Sequence, residues 1–328
     1  MQMTVLASGS KGNSTVISSS KTRVLVDAGL SCRELVRRMA MVGEDPSKLD
    51  AILITHEHQD HVTGLGVLAR KLGIPVYFTE PTHRAWVRMM KPRTTMSYAQ
   101  WLIHVQQEKE ARARAVAEGS APEQGICDSM SAAVEADRTG TTCGEPDEPE
   151  TSTSKAKADP AFLPAVEYFH SGRQFCIGDI EVTPFTIPHD AADPCGFVFS
   201  SEGVRMAVAT DLGYMPPNVK AALKRIDVLL LESNHDLEML KDGPYPWSVK
   251  QRVLSRVGHL SNLATAEFLE RDYDGSAAYV VLGHLSESNN APELARMTAE
   301  QAMMNHPTLL GNRIVLAEQA APINPICI

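Results

Sequence analysis

In the six consecutive residues His56-Glu57-His58-Gln59-Asp60-His61, four side chains are candidate metal ligands, His56, His58, Asp60 and His61. Imidazole and carboxylate suit zinc, manganese or iron. His56 and His58 stand at i and i+2, so an extended backbone projects both rings to one side, where two imidazoles meet one ion. Asp60 and His61 fall where a helix is expected to begin, and the turn there swings them towards a second ion beside the first. A lone histidine reads as a solvated loop residue. Four ligand types in six positions, directly after a buried apolar run, read as a metal site.

The elements that must hold this run are legible around it. Ala51–Ile54 is a continuous apolar strand of the buried kind, and a helix is expected from Val62 to Leu72. Upstream, two short strands flank a Gly/Ser/Asn turn, Arg23–Val26 being the second, and end at Asp27-Ala28-Gly29. Leu35, Val36, Met39 and Val42 give residues 31–42 helical spacing, with Ser31 as N-cap. A strand at Ile74–Phe78 and a helix around 81–91 follow. Further strands are expected at Glu181–Ile187, Gly196–Phe199, Arg205–Thr210, Val228–Leu231 and Ala278–Leu282, with helices near 216–225, 245–257, 261–271 and 291–304. Strand-rich stretches interleaved with helices predict two sheets covered by helices rather than a doubly wound parallel sheet.

Composition bounds the class. With 328 residues, 43% apolar and 22% charged, the chain is a globular protein long enough for one large layered domain or two ordinary ones. No apolar run spans a bilayer and no secretory leader is recognised at the start, so the expectation is a cytoplasmic protein without membrane contact. Its six cysteines contain no C-x-x-C pair and support neither a disulfide scaffold nor a thiolate zinc site. Residues 105–160 are rich in Ala, Glu, Ser, Thr and Pro and nearly free of large apolar residues, which predicts a flexible acidic insertion within a single domain spanning 1–328. That stretch holds 6 basic and 12 acidic side chains, a net of −6 out of −9 for the chain. The remaining −3 does not exclude a polyanionic substrate.

His-x-His-x-Asp-His after an apolar strand resembles the metallo-β-lactamase superfamily. Leu6–Ser14, Thr210–Gly213, Leu231–Asp236, Gly243–Trp247, Gly258–Asn262 and Leu282–Ser286 resemble its YycJ/WalJ-type branch. The likeness covers nearly the whole chain except roughly 100–165, and it departs from the branch where Ala-Ser-Gly-Ser replaces the frequent Gly-Ser-Gly-Ser. It implies an α/β fold, the αββα four-layer sandwich with two mixed sheets flanked by helices. It also implies His189 as third histidine of the first ion, Asp211 as a carboxylate bridging both, and His284 as the last ligand. His259 resembles the general-acid histidine of related phosphodiesterases, and the resemblance leaves open an exchange of roles between His259 and His284. Asp27 is expected to hold a ligating histidine, a plain turn aspartate being the other reading of it.

The implied chemistry is hydrolysis. Two adjacent divalent cations, zinc or manganese with iron also compatible, lower the pKa of a shared water towards about 7 and neutralise charge on a phosphoryl or acyl oxygen. Asp60 would orient the nucleophile and protonated His259 would serve the leaving oxygen. The resemblance favours phosphodiester hydrolysis in DNA, with RNA as a more distant substrate. Arg33, Arg37, Arg38, Arg70, Lys71, Lys250 and Arg252 are candidate phosphate contacts, and Tyr245 and Trp247 candidate stacking residues. Asn234 and His235 are expected to line the pocket, and Ser261, Asn262 and Asn289 to meet a phosphate oxygen. A small-molecule ester or lactone hydrolase uses the same kind of site. A metal-binding regulatory protein without activity is a third reading, against which the full ligand set argues. Protein partners are not legible.

Overall fold

Alternation along the apolar strands sends successive side chains into different cores. Val24 and Val26 face one cluster while Leu25 faces another, and Val228 and Leu230 part from Leu229 and Leu231 in the same way. The computed structural model describes residues 1–91, 159–304 and 312–328, with Ile103, Gln106 and Gln107. Residues 1–91 and 159–328 make up one compact unit; of the other, 92–158, the three described residues are helical. The acidic stretch 105–160 therefore lies outside the described residues, apart from Gln106, Gln107, Asp159 and Pro160.

The first part of the large unit runs β1 (Gln2–Ala7), β2 (Ser14–Ser18), β3 (Arg23–Val26), α1 (Cys32–Met41), β4 (Ala51–Leu53), α2 (Gln59–Val62), α3 (Leu65–Leu72), β5 (Val76–Phe78) and α4 (Glu80–Met90). After Asp159 come β6 (Val166–Tyr168), β7 (Phe175–Ile177), β8 (Ile180–Thr186), β9 (Cys195–Ser201), β10 (Val204–Ala209) and α5 (Pro217–Ala222). The rest is β11 (Val228–Glu232), α6 (Leu237–Asp242), α7 (Trp247–Val253), α8 (Asn262–Arg271), β12 (Tyr279–Gly283), α9 (Pro292–Met303), β13 (Arg313–Leu316) and β14 (Ile326–Cys327).

Two mixed sheets result, ordered β14-β1-β2-β3-β4-β5-β6 and β13-β12-β11-β10-β9-β8-β7. In each, four strands run parallel, β3 to β6 and β10 to β13. One core fills the space between the sheets, with Val24, Val26 and Leu53 meeting Phe197, Met206, Val228 and Leu230. A second lies under α1, α3 and α4, through Leu35, Met39, Leu68 and Trp86. A third lies under α5, α8 and α9, through Val219, Phe268, Leu269 and Ala299. The chain thus forms the αββα sandwich implied by the resemblance.

Three local differences from the sequence reading have physical causes. Ser14–Ser18 is a strand of its own between β1 and β3, its serine ends having read as turn. The helix expected from Val62 starts at Gln59 and breaks at Thr63-Gly64, where a Cβ on Gly64 would stand 2.2 Å from the Leu30 carbonyl. Strands β6, β7, β13 and β14 span two to four residues, too few for alternation to show. No helix among the described residues is long and apolar enough to cross a membrane.

Candidate metal centre

Strands of the two parallel sets, together with the antiparallel β8, deliver the ionisable residues at their C-terminal ends. Asp27 directly follows β3, Thr55 and His56 come just after β4, His189 three residues after β8, Asp211 two after β10 and His284 directly after β12, while Glu232 is the last residue of β11. Asp27, Asp211 and His284 all have left-handed backbone, with φ of 60°, 64° and 56°. Such geometry costs a non-glycine residue of order 1–3 kcal/mol and persists only where the surroundings impose it. At His284 the imposition is visible: Ser8 Oγ accepts its N–H at 2.7 Å and Asn234 Nδ2 donates to its carbonyl at 2.8 Å. Gly29 is required by crowding, because a Cβ there would lie 1.6 Å from the Asp60 carbonyl.

Every histidine of the centre but one has its Nδ1 engaged away from the others. His61 Nδ1 donates to Asp27 Oδ2 at 2.8 Å. Thr55 gives its hydroxyl proton to Asp27, so its oxygen is left to accept from His56 Nδ1 at 3.0 Å. His189 Nδ1 donates to the Gly258 carbonyl at 3.2 Å. His284 and His259 both donate to Glu232 Oε1, at 2.9 and 2.8 Å. The bonds fix the tautomers, leaving Nε2 of all five as the available atom. His58 presents Nδ1, which stands 3.2 Å from His189 Nε2.

These free atoms converge. The candidate ligand atoms of His56, His58 and His189 lie within 4.8 Å of one another, as do those of Asp60, His61 and His284, and those of His56, His61 and Asp211. His61 Nε2 stands 3.4 Å from both Asp60 Oδ2 and Asp211 Oδ2, and His284 Nε2 stands 3.6 Å from Asp60 Oδ2 and Asp211 Oδ1. Ligands about 2.1 Å from a tetrahedral ion are about 3.4 Å apart. His56 Nε2, His284 Nε2 and Asp211 Oδ2 are buried with no hydrogen-bond partner in the protein. Buried polar atoms are normally paired. Here they are aimed at one another across gaps the size of a coordination sphere, so the donor set fits divalent metal ions.

The electrostatics agree. Burial alone would lower the pKa values of His61 and His284, but Asp211 and the other carboxylates outweigh it and hold both well above the ordinary value. Burial and the surrounding histidines push His56 well below it. Asp60 and Glu232 resist the upward pull of burial because histidines face them, His61 for Asp60 and His259 for Glu232, and both stay below the ordinary carboxylate range. Divalent cations would take the place of the shared protons.

Glu232 was not singled out from sequence. It is fully buried, and while Oε1 receives the two histidines, Oε2 accepts from the backbone of Leu212 at 2.6 Å and Leu260 at 3.2 Å. Asn13 was also missed; its Nδ2 lies 3.1 Å from Asp60 Oδ2 and from His61 Nε2. Among the expected substrate contacts, Ser261 caps α8 by accepting from Ala264 N, and Asn262 bonds Ser233 and Asn290, so their polar atoms are engaged within the fold. Asn234 holds the His284 backbone. His235 is 1% exposed with both ring nitrogens unpartnered in the protein, and burial pushes its pKa down to about 4. Asn289 Oδ1 is likewise buried without a partner. Of the candidate phosphate contacts, Arg38 is buried on the carbonyls of Leu6 and Gln319, and Arg70 is turned to those of Pro160 and Phe162.

The chain matches the family model of the metallo-β-lactamase superfamily over residues 7–284. It is 34% identical over 294 residues to the exodeoxyribonuclease WalJ of Streptococcus pneumoniae serotype 2, covering 90% of this chain and 85% of the relative. It is 32% identical over 303 residues to the exodeoxyribonuclease YycJ of Bacillus anthracis, covering 92% and 89%. Among solved structures, the metallo-β-lactamase fold protein YhfI from Bacillus subtilis superposes with a TM-score of 0.56 at 13% identity over 98% of this chain and 99% of that one, a likeness of fold.

Proposed function

The chain belongs to the metallo-β-lactamase superfamily, and from that premise we propose that it is a metal-dependent exonuclease hydrolysing phosphodiester bonds in DNA. The observation that carries the reading is the convergence of ligand-type atoms from His56, His58, His189, Asp60, His61, Asp211 and His284 on one centre, those of His56, Asp211 and His284 being buried without a hydrogen-bond partner. Similarity to exodeoxyribonucleases across most of both chains selects DNA among phosphodiester substrates.

In this reading His56, His58 and His189 would hold one ion and Asp60, His61 and His284 the other, with the Asp211 carboxylate within reach of both groups. Zinc or manganese suits these ligands. When bound, the pair supplies a water of lowered pKa and neutralises charge on the phosphoryl oxygens. The chain's own residues do the rest. Asp60, steadied by Asn13 Nδ2 at 3.1 Å, orients the attacking water. His259, held through Nδ1 by Glu232 and 20% exposed at its side chain, keeps Nε2 free to deliver a proton to the leaving oxygen. Glu232 sets the ring orientation of both His259 and His284, tying the proton donor to the ligand shell.

The test is degradation of end-labelled DNA with manganese, compared with phosphodiester and lactone model compounds. Release of nucleotides from DNA ends, abolished in His58→Ala, is expected. Hydrolysis of the lactone alone would assign the site to small-molecule esters, and activity on DNA undiminished in His58→Ala would trace it to a contaminant.

A further inference from the structure

Beside the centre, α7 and the turn after it expose apolar and cationic side chains together. α7 buries none of its residues; Trp247 is 65% exposed, and Val249, Leu254 and Val257 are also in water. A surface helix normally hides an apolar stripe, so one that leaves it in solvent marks a contact surface. The segment itself is positively charged, although Arg252 is paired with Asp190. Residues 243–258 carry Lys250, Arg252 and Arg256 and no acidic side chain, in a chain of net charge −9. Arg256 lays its guanidinium over the Tyr214 ring, 4.5 Å from the centroid, and Tyr214 follows three residues after Asp211.

The surface is continuous with the centre. Gly258 gives its carbonyl to His189 Nδ1, Val257 its carbonyl to Asp190 N, and Arg252 Nε donates to Asp190 Oδ2. His259 comes next in the chain. From Trp247 to Arg252 the helix rises about 7–8 Å, the length of roughly two stacked bases. Aromatic rings interleaved with cations suit a single strand, whose bases are free to stack while its phosphates meet the charges.

Resting on the reading of the centre as a nuclease site, we infer that α7 and the Tyr214–Arg256 pair form a stacking platform for the unpaired bases of a strand entering it, with Trp247 as the principal ring. A duplex keeps its bases occupied, and exposed rings beside the cations Lys250 and Arg256 match bases and phosphates rather than a peptide, so the occupant is single-stranded nucleic acid.

A fluorescein-labelled, phosphorothioate-linked strand of about a dozen thymidines reports binding by anisotropy without turnover. Trp247→Ala is expected to weaken that binding about 10-fold and Trp247→Phe to restore most of it. Blunt duplex affinity should stay within about twofold and bound metal at the wild-type content, neither depending on stacking. Equal affinity of wild type and Trp247→Ala for the single strand overturns the inference. So does a wild-type dimer dissolved by Trp247→Ala with strand affinity unchanged, which would give the face to a second copy of the chain. A wild type that binds the strand yet cuts no DNA supports the platform and refutes the nuclease reading.

Discussion

Asp27 Oδ2 accepts the Nδ1 proton of His61 at 2.8 Å, both groups being sealed from solvent. The carboxylate also accepts from the backbone and hydroxyl of Thr55, so its position is determined on three sides. Asp27→Asn keeps the shape but turns an amide N–H towards a donor, either His61 Nδ1–H or Thr55. The His61 ring must then rotate or change tautomer. Metal affinity is expected to fall about 10–100-fold, as is common when a partner of a ligating histidine is lost. Titration of the metal-free protein with zinc or manganese measures this, and unchanged affinity would show that Asp27 does not orient a ligand.

Glu232 links two roles that single substitutions can separate. In His259→Ala both ion sites keep their ligands, so metal content should stay at the wild-type level while the rate on DNA falls about 10²–10⁴-fold. In Glu232→Gln one amide N–H faces either the two histidine donors or the backbone N–H groups of Leu212 and Leu260. Both metal affinity and rate should drop, with about 1–3 kcal/mol of stability lost to the mismatched buried donor. Thermal unfolding and elemental analysis read the two effects. Loss of metal from His259→Ala would make that histidine a ligand and sink the proton-donor role.

Away from the centre, Glu34 bonds Arg37 and Arg38, and these bonds lower its carboxyl to about 2 from the ordinary 4.5. Arg38 in turn holds the carbonyls of Leu6 and Gln319. A carboxyl lowered in the folded state stabilises above its unfolded pKa, and that stability is lost as pH falls from 4.5 towards 2. Glu34 is 29% exposed at its side chain, so screening limits the effect to about 1 kcal/mol. Urea denaturation should therefore show Glu34→Gln about 1 kcal/mol less stable than wild type at pH 7, with the gap closing near pH 2. A gap that is the same at both pH values would mean that the pairing contributes nothing.

The candidate ligands Asp60 and His61, and His56 and His58, were legible because they are local: a buried strand, a loop and a helix start fix their relation within six residues. His189, Asp211 and His284 stand at ends of strands that apolar runs had already marked, but only the family resemblance told them apart from turn residues. Glu232 closes the run Val228–Leu231 and was hidden because Glu-Ser-Asn-His reads as the turn after a strand; the signal was a carboxylate directly continuing a wholly apolar strand. Asn13 acts on Asp60 across 47 positions, through a turn whose Gly, Ser and Asn residues advertise flexibility rather than contact. The left-handed backbone of Asp27, Asp211 and His284 is only weakly signalled in the sequence: Asp and His enter it more often than other non-glycine residues, but most of them do not, and tertiary contacts such as those on His284 decide it.

Unpartnered donors also predict how stability responds to metal. His56 Nε2, His284 Nε2 and Asp211 Oδ2 lie buried and unpaired, and the carboxylates around Asp211 repel one another unless cations or protons stand between them. Divalent ions bind this arrangement only when the strand ends are assembled, so they stabilise the folded chain by mass action. At ion concentrations about a hundredfold above the dissociation constant the gain is about 2.7 kcal/mol per site, a rise in Tm of roughly 5–10 °C for a unit of this size. Chelation followed by stepwise return of zinc or manganese, with Tm and bound metal recorded together, should trace that rise to two ions per chain. In His284→Ala the stoichiometry should fall towards one and the rise should shrink with it. A chelated protein that melts at the temperature of the metal-replete one would mean that the histidines do not bind ions in the folded state, and the hydrolase reading would fail with them.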